Sequence, residues 1–64
     1  MNKRKRISKC LDEFEHTHPD WWEGIAKALK IDFEWLQREG FVKRRKEDQH
    51  YCLTEAGRRY VKDN

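Results

Sequence analysis

EGFVKRRKEDQHYCLTEAG, residues 39–57, holds the densest run of structural punctuation in this chain. Gly40 sits where a helix needs a residue at positive φ to stop, a conformation that only glycine adopts without a Cβ penalty. Phe41 and Val42 are strand formers, and Lys43, Arg44, Arg45 and Lys46 continue them as a solvated basic edge. Glu47, Asp48, Gln49 and His50 are four polar residues between two extended runs, which predicts a hairpin loop. Tyr51-Cys52-Leu53 forms the return strand. Thr54 then has the side chain to cap a helix starting at Glu55.

A helix ending in glycine, a basic hairpin and a return strand closing on Leu53-Thr54 resembles the wing of a winged helix-turn-helix domain. The resemblance extends to Ile25–Ile31, IAKALKI, which is similar to the first helix of a helix-turn-helix unit. It departs from that family in one respect. Only nine steps separate Ile31 from Gly40, which leaves a shortened recognition helix. The fold expected is mainly α with a small β-hairpin (α+β). Its helices are predicted at about 5–15, 20–30, 32–39 and 55–62, with strands at about 41–46 and 50–54.

Outward from that stretch, the periodicity is helical. Ile7, Cys10, Leu11 and Phe14 recur at i, i+3, i+4 and i+7, one apolar stripe of an amphipathic helix. His16-Thr17-His18-Pro19 ends it, because the residue before a proline is pushed out of the helical region. Trp22, Ile25, Ala26 and Leu29 make a second buried face, and Phe33 and Leu36 a third, with Asp32 as its cap. A single helix over residues 20–39 keeps the same phase of polar and apolar positions. Asp32 lies near the buried stripe of such a helix and favours a break at residues 30–32. The last helix is expected to turn Ala56, Tyr60 and Val61 inward.

The chain has 64 residues, 36% hydrophobic and 42% charged, with three Trp, three Phe and two Tyr. That length predicts one domain over residues 1–64, with residues 1–4 a flexible basic arm. It leaves too little chain for a walled substrate cleft, so neither an enzyme nor a small-molecule substrate is expected. Two cysteines, no signal-like N-terminus and no long apolar run imply a reducing, cytoplasmic setting away from membranes. Cys10, His16, His18, His50 and Cys52 lack the close-spaced pairs of structural zinc sites. No metal or cofactor is expected, and both thiols are predicted to be buried and free.

Net charge is +3, unevenly distributed. Residues 1–9 carry five cations and no acids; residues 10–40 carry eight acids against three cations. Two basic clusters therefore flank an acidic middle. By resemblance, the chain is a DNA-binding protein, a small transcriptional regulator or a mobile-element accessory factor. Double-stranded DNA would be contacted by Lys3, Arg4, Lys5 and Arg6 of the arm and by Lys43, Arg44, Arg45, Lys46, Gln49 and His50 of the wing. Gln37 and Arg38 would lie on the recognition helix, where Gln can pair with adenine and Arg with guanine. Glu34 and Glu39 on the same helix weaken its attraction to phosphates. The alternative is a protein-interaction module that uses the acidic, Trp-bearing helical face. Trp21, Ala28, Ile31 and Trp35 form an apolar face that could pair two copies as a homodimer or meet another partner.

Overall fold

The computed structural model describes residues 2–63. The fold is mostly helical with one small antiparallel sheet. Its elements run α1 (Lys3–Glu15), a 3-10 turn (Pro19–Trp21), α2 (Trp22–Ala28), α3 (Phe33–Arg38), β1 (Val42–Arg44), β2 (Tyr51–Leu53) and α4 (Glu55–Lys62). Among the described residues no helix is long and apolar enough to cross a membrane.

Helix α1 starts two residues earlier than its apolar stripe predicts. Asn2 caps it, its side chain accepting from the Lys5 N–H at 2.8 Å. Lys3, Arg4, Lys5 and Arg6 are therefore helical rather than part of a trailing arm. Capping by asparagine satisfies one of the amide donors that every helix start leaves open.

The stretch 20–39 is two helices, and the backbone shows why. Lys30 has φ 59°, a left-handed conformation that ends α2. Its N–H donates to Lys27 O at 3.0 Å and the Ile31 N–H to Ala26 O at 2.8 Å, the paired bonds of a Schellman cap. Helix α3 ends the same way, with Gly40 at φ 81°, its N–H on Gln37 O and the Phe41 N–H on Leu36 O, both at 3.0 Å. One cap uses glycine and the other a lysine. The lysine gives no warning in the sequence.

The core is drawn from the apolar stripes of α1, α2 and α3 and from the hairpin. Ile7, Cys10, Leu11 and Phe14 of α1, Trp22 and Ala26 of α2, Leu36 of α3, Val42 of β1 and Leu53 of β2 are all buried. Phe14 stacks flat on Trp22 with ring centroids 4.5 Å apart. The Trp22 indole keeps its hydrogen bond by donating Nε1–H to Thr17 O at 3.0 Å, so the ring is buried without an unmet donor. Ile25, Leu29, Phe33, Tyr60 and Val61 are half-buried around this centre.

Helix α4 corrects one expectation. Ala56 is exposed, and the buried residue is Gly57. A Cβ at position 57 would stand 2.5 Å from the Phe41 carbonyl oxygen, so the helix seats against β1's entry only because that side chain is missing. Thr54 fixes this junction. Its hydroxyl donates to Gly40 O, accepts from the Gly57 N–H at 3.0 Å, and its own N–H donates to Phe41 O at 3.0 Å.

Candidate nucleic-acid interface

The strands are shorter than the sequence predicts, three residues each, paired Val42 with Leu53, Lys43 with Cys52 and Arg44 with Tyr51. Alternation puts Val42 into the core and Lys43 on the outer face. Beyond Arg44 the hairpin closes its loop, the Arg45 N–H donating across to His50 O at 2.7 Å while the Arg45 side chain takes a partner of its own. Its guanidinium grips Asp48, Nη2 to Oδ2 at 2.5 Å and Nε to Oδ1 at 3.2 Å. Asp48 also accepts the His50 N–H at 3.0 Å, and the Gln49 N–H donates to Arg45 O at 2.9 Å with Gln49 at φ 62°. The bonds from Arg45, and then the one from the His50 amide, hold the Asp48 carboxyl at about 2, well below the usual carboxylate range. Arg45 thus closes the loop, while Gln49 supplies a turn conformation.

The other three cations of the run are differently placed. The Arg44 guanidinium lies 4.6 Å from the centre of the Tyr51 ring and donates to the Tyr51 hydroxyl. Tyr51 in turn meets Phe33 edge-on at 4.8 Å, so the arginine stands on an aromatic stack rooted in the core. Lys43 and Lys46 are exposed and make no ion pair among the described residues. His50 is partly covered by His18, with the rings 5.5 Å apart.

The second basic cluster lies at the other end of α1. Lys3 sits over the Trp35 ring at 5.1 Å, and Arg4 over the Tyr60 ring at 5.3 Å. Trp35 and Tyr60 both meet Phe41, the residue just before β1. Beyond the opposite end of α1, His18 meets His50 beside the hairpin loop. The two basic clusters therefore lie toward opposite ends of α1, whose thirteen residues span about 20 Å.

A cleft of about 350 Å³ accompanies the N-terminal cluster, lined by Lys3, Arg6, Ile7, Lys30, Ile31, Asp32 and Trp35. Arg6 is half-buried, and its Nε has no hydrogen-bond partner among the described residues. A shielded donor left in that state costs about 1–3 kcal/mol. Lys30 joins Lys3 and Arg6 here through its left-handed turn, which no pattern in the sequence announces. Asp32, on the rim, caps α3 by accepting the Glu34 N–H at 3.0 Å.

The exposed side of α3 is not basic. Gln37 and Arg38 share a cleft with Glu23, Asp32, Phe33, Glu34 and Tyr51, so three carboxylates face one guanidinium. The residues expected to form a pairing face are carried by three separate elements and the link between α2 and α3. Trp21, on the 3-10 turn, is 68% exposed. Ala28 ends α2 and is exposed, while Ile31 and Trp35 are half-buried.

Burial differs between the thiols. Cys10 is fully buried, and desolvation, with a lesser effect from Glu13, pushes it up to about 12. Cys52 is only half-buried, which corrects the expectation that both are enclosed. Its position opposite Lys43 on a two-stranded ribbon leaves one side uncovered. No group of three or more His, Cys, Asp or Glu side chains among the described residues is placed to hold a metal ion.

Comparison with protein-family models, with curated proteins and with solved structures gives no match to this chain.

Proposed function

We propose that the chain is a winged helix-turn-helix protein that binds the phosphate backbone of double-stranded DNA through its hairpin, with little base reading by α3. The observation that carries this reading is Arg44, propped on Tyr51, with Lys43 and Lys46 beside it and no carboxylate partner on either lysine. A cation held in place before binding loses less rotamer freedom when it meets a phosphate. Contacts to phosphate fix position on a duplex and carry no sequence information. The acids around Gln37 and Arg38 argue against close approach of α3 to a groove.

The test is fluorescence anisotropy on random-sequence duplex over a range of salt concentrations. Replacing Arg44 and Lys46 with Ala removes two phosphate contacts. That lowers the magnitude of the log-affinity versus log-salt slope by roughly 1.8 and weakens all sequences about equally. An unchanged slope overturns the reading.

A second reading rests on the acidic cleft itself. Glu23, Asp32 and Glu34 around Phe33 and Tyr51, with Trp21 exposed nearby in sequence, suit a basic segment of a partner protein. Substituting Glu23 and Glu34 with Gln separates the two. It strengthens binding to DNA under the first reading and abolishes a protein interaction under the second.

A further inference from the structure

We propose that the cleft between the start of α1 and the α2–α3 turn is a binding site for a phosphate group, independent of the hairpin. Three cations converge on it from two places. Lys3 and Arg6 are one helical turn apart on α1, and Lys30 comes from the turn. None of the three makes an ion pair among the described residues. Their mutual repulsion is relieved by an anion between them. Asp32 is the one acid lining the cleft, and its carboxylate already serves the Glu34 amide.

The shielded Arg6 Nε is the sharper sign. Its donor is enclosed without an acceptor on a residue that lines the cation-bounded cleft, and a phosphate oxygen is an acceptor of the right charge. The amide dipoles at the start of α1 add positive potential at the same end. Trp35 forms part of the lining, with the Lys3 ammonium resting on its face at 5.1 Å. When Lys3 swings toward a phosphate, that indole face is left for a planar group attached to it. The volume of about 350 Å³ lies at the small end of ligand sites, room for a phosphate and a modest ester group. Two sources share this chemistry, a free phosphate ester and the 5′-phosphorylated end of a nucleic acid.

The probe is inorganic pyrophosphate, titrated at constant ionic strength into the full chain and followed by nitrogen–proton NMR. Saturable shifts are expected at the Trp35 indole N–H, the Arg6 Nε–H and the Lys30 amide, with none at residues 43–46. Arg6→Gln and Lys30→Gly should each weaken binding at least fivefold. Lys30→Gly keeps the result interpretable, because glycine suits the left-handed backbone and should raise the melting temperature while binding falls. Lost affinity in a more stable protein is then not a folding defect. Paired oligonucleotides, with a 5′-phosphate or a 5′-hydroxyl, separate the sources. A tenfold preference for the phosphate end assigns the site to nucleic-acid termini, and no preference with pyrophosphate binding intact assigns it to free esters. Shifts that grow without saturation, or that survive both substitutions, overturn the proposal.

Discussion

The two basic ends of α1 are built on opposite principles. At the hairpin, cations follow one another in sequence, and one of them is consumed in holding the loop through Asp48. At the N-terminal end, neighbouring cations rest on rings brought from two other helices, Lys3 on Trp35 and Arg4 on Tyr60, and Lys30 joins from the α2–α3 turn. The first arrangement is a ribbon whose shape depends on an exposed carboxylate. The second depends on the core and on two helix caps. Each end holds four consecutive cations, so charge in the sequence does not separate them, while preorganisation favours the N-terminal end.

The largest effect tests whether the two ends are one folding unit. Phe14 touches both Trp22 and Phe33, and through Phe33 it reaches Tyr51 under Arg44. Phe14→Ala should cost about 3–5 kcal/mol and leave the domain unfolded at ordinary temperature, by circular-dichroism melting. A melt in which helix content persists while the hairpin is lost would show that the ends are independent.

A smaller effect isolates the hairpin. Tyr51→Ala removes the platform beneath Arg44, an exposed cation–π contact worth about 0.5–1 kcal/mol. DNA affinity should fall by several-fold while the Trp35 indole resonance keeps its position. Movement of that resonance would mean that the aromatic stack couples the two ends.

Asp48→Asn goes the other way. It releases Arg45 as a fourth usable cation and loosens the loop. The salt slope should steepen by up to about 0.9, one further phosphate, and hydrogen exchange at the His50 amide should quicken. A shallower slope would mean that loop shape outweighs charge.

The smallest effect is an acid transition confined to the tip. Asp48 is held below its ordinary 3.8, so the clasp is fully present above that value and is lost as pH falls through about 2. The His50 amide and the Arg45 Nε–H should shift together with that midpoint in an NMR titration. Separate midpoints would detach the amide bond from the clasp.

Much of the fold was legible because its boundaries are set by local chemistry. Asp32, Gly40 and Thr54 cap where their side chains or backbone freedom predict. The stripe of Ile7, Cys10, Leu11 and Phe14 is buried as its spacing requires. What escaped was tertiary. The break at residues 30–32 was legible through Asp32, but a lysine in the left-handed region carries no signal, so the cap at Lys30 and its cation in the cleft could not be read. The four-cation run looked uniform, because the Arg45–Asp48 bond that breaks it depends on loop geometry. The separation of the two clusters by the length of α1 is a matter of packing, which periodicity does not address.

The junction at Gly57 has a consequence for substitution tolerance. Position 57 faces a backbone oxygen, which cannot rotate aside as a side chain would. Alanine, the residue most favoured inside helices, should be rejected there, while exposed Ala56 and Arg58 on either side accept wide replacement. A saturation library scored for folding should therefore show a gap at position 57 between two permissive neighbours. The gap would mark where α4 was fitted to the hairpin.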